Sequence, residues 1–177
     1  MRLISLPFIF LLCIIVITCR AQDTNGDKDQ ISVAASEIIG QVKYCALITL
    51  DESGHPQART MEAFPSEENF IIWFGTNKNS RKVAEIKNDP RVTVYYGDPS
   101  GSGYVVITGS AILVDDPEEK EKRWMDHWEQ FYLDRESTYT LIKIIPDRLE
   151  VVSYKHGLTG DTVTWRAPYK DISIYDD

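Results

Sequence analysis

The chain has 177 residues, 43% of them hydrophobic and 11% aromatic, which suits one ordinary domain that buries a core without disulfide support. The formal net charge is −8, and because Arg2 and Arg20 stand in an acid-free leader, 17 of the 19 basic residues face all 27 acidic ones in the rest of the chain. That balance repels nucleic acid and anionic lipid surfaces and excludes a general polyanion-binding role.

The first 21 residues read as an export signal. Arg2 supplies a short positive region, and Phe8 to Ile17 is an unbroken apolar run. The run falls short of the roughly 20 residues that a spanning helix needs, so no membrane span is expected. Cys19, Arg20 and Ala21 place small residues at the −3 and −1 positions of a cleavage site, which releases a periplasmic or secreted chain starting at Gln22. Val16 to Cys19 offers the alternative of a lipoprotein acylated on Cys19, for which Thr18 is a poor neighbour. Cys13 and Cys19 belong to this leader, so Cys45 is alone in the folded part and reads as a small buried hydrophobe.

Residues 22–30 are polar and predict a flexible tether, and residues 31–177 the domain. Ile31, Ala34, Ala35, Ile38 and Ile39 recur at helical spacing within Ile31 to Val42. Three strands follow, Tyr44 to Leu50, Pro56 to Phe64 and Phe70 to Thr76, joined by links too short for anything but antiparallel pairing. A short helix opens at Asn79 or Ser80 and stops before Pro90. The strands Arg91 to Gly97 and Tyr104 to Val114 come next, the second carrying Gly109, where a bulge or close backbone approach is expected. Pro117 to Arg135 predicts one helix with Trp124, Trp128 and Phe131 as a single apolar stripe. Tyr139 to Ile145 and Arg148 to Tyr154 predict two closing strands. The sum is a mainly β fold with peripheral helices, six or seven antiparallel strands forming a small barrel.

The stretch Trp73 to Tyr96 carries the chemistry. A strand ends in Gly75 and Thr76, and a helix opens on Ser80, Arg81 and Lys82. Free N–H groups at a helix start, a hydroxyl and two cations together suit a phosphate monoester. Arg59 and Met61 share one face of the preceding strand, and a buried Arg59 demands an anion or a carboxylate. His55, His127 and His156 form no metal-ligand spacing, and the Gly-rich loop Asp98 to Gly103 reads as a hairpin.

The block GTNKNSRKVAEIKNDPRVTVYY resembles the flavin-phosphate segment of the pyridoxamine 5'-phosphate oxidase-like split barrels. The strands QARTMEAF and YVVITGSAILV, and the Ile-x-Pro-x-Arg-x-Glu pattern after Leu141, are similar to other strands of that family. The resemblance spans residues 33–154 and implies a split β-barrel, usually a homodimer with two FMN sites at the subunit interface. It implies FMN contacts from Arg59, Thr60, Met61, Gly75, Thr76, Ser80, Arg81 and Lys82. FAD, deazaflavin or haem are alternatives, since a phosphate clamp does not identify the ring. Tyr104 stands where the oxidase has a flavin-contacting Gln, and no Arg-x-His follows Tyr154, so the general-stress-protein branch fits better than vitamin B6 oxidation. That branch implies a flavin-dependent oxidoreductase with an unknown small-molecule substrate, the alternatives being a non-catalytic flavin-binding or storage module and a cofactor-free extracytoplasmic binding domain; Tyr104 and Lys155 are the only side chains offered for any chemistry.

Overall fold

Buried and exposed residues alternate along most of the strands, and this alternation builds the barrel wall. The computed structural model describes residues 24–132 and 134–172; the export signal, the cleavage site near Ala21 and the lipid attachment at Cys19 lie outside them. The strands are β1 (Tyr44–Leu50), β2 (Pro56–Glu62), β3 (Ile72–Asn77), β4 (Arg91–Gly97), β5 (Gly103–Val114), β6 (Tyr139–Ser153) and β7 (Tyr169–Asp171). All pair antiparallel in one sheet of order β2-β1-β4-β5-β6-β3, with β7 also on β6. The Phe64 N–H donates to the Trp73 carbonyl at 3.1 Å, drawing the two ends of the sheet together into a curled half-barrel.

Leu47, Val94, Val105, Ile107, Leu149 and Val151 point inward with no solvent exposure, joined by Phe74 and Ile142. Helix α1 (Thr24–Gly40) packs onto this core through Ile31, Ala34, Ala35, Ile38 and Ile39. Full burial of an isoleucine contributes about 1.5–3 kcal/mol, which anchors the helix. The expected tether is corrected over 24–30: the helix runs on from Thr24, because extension costs little once a packed turn has nucleated it. Gln30 then ties its side chain to the His156 carbonyl at 2.7 Å. Among the described residues, no helix is long and apolar enough to cross a membrane.

Two further expectations are corrected. The closing strands are one, β6, which continues through Pro146 because a bulge there shifts the register between Thr108 and Gly109 on β5. Gly109 is needed for this approach, since a Cβ would lie 2.1 Å from the Ile145 carbonyl oxygen. The helix expected over Pro117 to Arg135 is three short pieces: α3 (Pro117–Lys122), a 3-10 segment Asp126–Phe131, and α4 (Arg135–Thr138). The break falls where Arg123 turns inward, its guanidinium 3.8 Å over the Trp73 ring and paired with Glu67 and Glu119. Met125 then takes an extended backbone. The stripe is thereby split: Trp128 is buried, but Phe131 stands 66% exposed.

Candidate anion-binding site

Helix α2 (Arg81–Asn88) starts four residues after β3 ends. Ser80 is its N-cap in extended conformation, with its carbonyl accepting from the Val83 N–H at 3.0 Å, yet its hydroxyl caps nothing. The first turn holds Arg81 and Lys82 and no acid. This opposes the helix dipole at a cost of about 0.3–1 kcal/mol per cation. Helix α3 shows the usual arrangement, with Asp116 capping Glu119 and Glu118 and Glu119 in the first turn.

Arg59 of β2 points into this corner. It lies opposite Leu47 in the β1–β2 register, on the inward face that Met61 shares. Its Nη2 donates to Glu85 Oε2 at 2.7 Å, and its Nη1 donates to Thr49 Oγ1 at 2.6 Å and to the Leu47 carbonyl at 3.3 Å. The Thr49 hydroxyl in turn donates to Glu85 Oε2 at 2.5 Å. Arg81 Nε lies 3.0 Å from Glu85 Oε1. Lys82 Nζ donates to Thr76 Oγ1 at 3.1 Å, and the Thr76 and Ser80 hydroxyls stand 3.4 Å apart. Burial lowers the Lys82 pKa from 10.5, with the positive charge of Arg59 acting in the same direction and Glu85 only partly opposing them.

The structure therefore joins Arg59, Thr76, Ser80, Arg81 and Lys82 in one connected corner. The other three expected residues lie apart from this network. Thr60 is exposed on the outer face of β2. Met61 packs against the main core, with its carbonyl accepting from the Cys45 thiol at 3.8 Å. Gly75 faces the other side of β3, where a Cβ would meet the Trp128 ring at 2.3 Å; the glycine makes room for that indole. Tyr104 donates its hydroxyl to Glu150 at 3.3 Å and Lys155 pairs with Glu37, so both are engaged within the chain.

Glu85 and Thr49 complete the network, and sequence reasoning missed both. The spacing of Arg81 and Glu85, one helical turn apart, was the available signal. The bond to Arg59 is tertiary and had no local signature. The burial of Arg59, which called for an anion or a carboxylate, is answered first by Glu85.

On the far side of β3 an aromatic cluster of Trp73, Trp124, Trp128, Tyr132 and Tyr139 covers the barrel wall. Glu62, at the end of β2, pins this cover by accepting from His127 at 3.2 Å and the Trp128 indole at 3.5 Å while pairing with Lys43 at 3.2 Å. Burial alone would raise the Glu62 pKa, but the bonds from His127, Lys43 and Trp128 lower it.

Comparison with known proteins agrees with this architecture. The family model "Pyridoxamine 5'-phosphate oxidase like" matches residues 31–160. General stress protein 26 of Bacillus subtilis (strain 168) is 24% identical over 131 residues, covering 72% of this chain and 91% of that protein. The crystal structure of General Stress Protein 26 from Bacillus anthracis str. Sterne superposes with a TM-score of 0.59 at 28% identity, over 71% of this chain and 92% of that one. Two more distant structures share the fold. One is a pyridoxamine 5'-phosphate oxidase-related, FMN binding protein from Nostoc punctiforme PCC 73102 (TM-score 0.58, 16% identity, 82% and 96% covered). The other is a heme binding protein from Mycobacterium smegmatis (TM-score 0.60, 17% identity, 80% and 57% covered). The match over residues 31–160 spans most of the chain, with the corner formed by Arg59, Thr76, Ser80, Arg81 and Lys82 inside it: the chain belongs to the pyridoxamine 5'-phosphate oxidase like family.

Proposed function

We propose that this is an exported FMN-binding protein of the general-stress-protein type, acting as a flavin-dependent oxidoreductase on a small molecule. The observation that carries the reading is the convergence of Arg59, Arg81 and Lys82 with the hydroxyls of Thr76 and Ser80 at the start of α2. Two cations in a first helical turn, one of them half-buried with its pKa lowered, form a site that a phosphate dianion would relieve. The Ser80 hydroxyl, which caps no helix N–H and stands 3.4 Å from the Thr76 hydroxyl, is a donor for the same group.

In this reading Arg81, Lys82, Ser80 and Thr76 hold the phosphate, and Arg59 closes the corner from β2. The flavin, when bound, would supply the hydride and electron chemistry, and the protein would orient its ring. A second copy of the chain would complete the ring site. The outer sheet face supports a homodimer, since it leaves Tyr44 and Ile112 about half exposed, and also exposes Tyr95, which stacks on Tyr104 at 5.8 Å.

One observation favours a cofactor-free binding domain instead: Glu85 already satisfies Arg59 within the chain. The visible absorption spectrum of the purified mature protein, with identification of any ligand released on heating, decides between the two. A flavin spectrum, or uptake of added FMN that Arg81→Ala and Lys82→Ala weaken, supports the proposal. A colourless protein that takes up no FMN sinks it, and a Soret band assigns haem. Export is tested separately by fractionating cells that express the full chain.

A further inference from the structure

Glu85 is an acid in a corner that otherwise favours an anion. Its side chain is 5% exposed against 69% for Arg81, so the carboxylate lies on the buried side of the pair. It links Arg59 and Arg81, which belong to different elements, and the fully buried Thr49 hydroxyl fixes it from a third. Arg59 spends three of its five N–H donors on Thr49, Leu47 and Glu85. Its Nε–H and one Nη2 proton remain. Among the described residues, nothing accepts from the two Nη groups of Arg81.

Resting on the flavin-phosphate reading, we infer that Glu85 is a positioning residue that fixes Arg59 through a hydrogen bond and draws Arg81 alongside by charge, so that one cradle stands before any ligand arrives. A guanidinium held on its buried edge presents its remaining donors in a fixed direction, so less side-chain freedom is lost when the phosphate binds. Three cations against one carboxylate also leave the cradle two positive charges in excess, the charge that a phosphate monoester neutralises above its second pKa of about 6. The carboxylate weakens the field on the phosphate, and the ordering of Arg59 outweighs that loss.

The experiment compares wild type, Glu85→Gln and Thr49→Val as full mature chains. Without ligand, nitrogen-15 NMR is expected to show resolved, slowly rotating Nη signals for Arg59 in wild type and their loss in E85Q. The FMN dissociation constant is expected to rise about tenfold in E85Q and severalfold in T49V. Riboflavin, which lacks the phosphate, should bind all three equally. If E85Q binds FMN as tightly as wild type or more tightly, Glu85 is a bystander or a competitor and the inference falls. If E85Q does not fold, T49V carries the test with the same direction of outcome, since it removes the two hydrogen bonds of the Thr49 hydroxyl, to Glu85 and from Arg59, and keeps every charge. If wild type binds neither FMN nor riboflavin, the flavin reading fails on its own. Inorganic phosphate then decides the cradle: shifts of the Arg59 and Arg81 signals in wild type but not in the variants support it, and no shift overturns it.

Discussion

Arg59 of β2 and Glu85 of α2 form an ion pair at 2.7 Å, with side chains only 16% and 5% exposed. The pair therefore couples the edge strand of the sheet to the helix that carries Arg81 and Lys82. Removing one partner strands the other away from water, a loss of about 3–5 kcal/mol for a buried pair. Arg59→Ala is thus expected to lower the denaturant midpoint far more than Arg81→Ala, whose exposed contact contributes less than about 1 kcal/mol. Replacing both partners with apolar residues, Arg59→Met with Glu85→Leu, should recover most of the stability. Equal losses for R59A and R81A in urea unfolding would contradict this.

Gly75 is a packing residue, making room for the Trp128 ring. An added Cβ would stand 2.3 Å from the Trp128 ring and 2.8 Å from that of Tyr139, and buried rings cannot step aside cheaply. Gly75→Ala is expected to destabilise by about 1–3 kcal/mol, as overpacking does. Trp128→Ala in the same chain should cancel that added cost in a double-mutant cycle. Additive losses would mean that the two residues do not meet.

Where local chemistry decides, the residues were legible in advance. Cys45 read as a buried residue of the apolar strand β1, and Asn79 or Ser80 marked the start of α2. Arg59 was recognisable because a charged side chain aimed at a core needs a reason, and Arg81 and Lys82 because two cations open a helix. What stayed hidden was tertiary. Nothing near Arg123 shows that its guanidinium leaves the helix to stack on Trp73, some fifty residues away, and so divides the predicted helix. Nothing in the strand residues of β2 points to Glu85 as the partner of Arg59. Strand β7 is three residues long, too short to carry a periodicity.

Cys45 is expected to be chemically silent. It is 5% exposed, and burial pushes its thiol up to about 11, with Tyr96 only partly opposing that shift. The thiolate is the reactive form, so at pH 8 little of it exists and no reagent reaches it. Labelling by an aromatic disulfide reagent should be slow in the native protein and complete on unfolding in denaturant. Rapid stoichiometric labelling without denaturant would show that β1 opens readily.

Acid stability should depend on Glu62. Its pKa is lowered from 4.5, so the unfolded chain takes up a proton at higher pH than the folded one. The stabilisation is complete above about pH 4.5 and is lost as pH falls through the lower, folded value. Glu62→Gln is expected to be less stable than wild type at pH 7, because the Lys43 and His127 contacts lose their anion. The gap between the two should close below pH 4.5. Parallel pH profiles for wild type and E62Q would show that the carboxylate does not hold the aromatic cover.

Ligand binding at the proposed cradle should fail early on the alkaline side. The Lys82 ammonium is destabilised by burial and by the Arg59 charge, so its pKa is lowered from 10.5 and it deprotonates before an ordinary lysine does. Only the protonated form attracts a phosphate dianion, so FMN affinity should fall as pH rises through that lowered value, while the arginines stay charged. Above pH 8 the phosphate is already fully ionised, which leaves the lysine as the titrating partner at the cradle. Lys82→Arg should hold its affinity to higher pH than wild type, although the planar guanidinium replaces the Thr76 contact imperfectly and weakens binding at pH 8. Fluorescence titrations of FMN between pH 8 and 10.5 measure both effects. Superimposable pH profiles for the two proteins would remove Lys82 from the phosphate site and leave Arg59 and Arg81 as its cations.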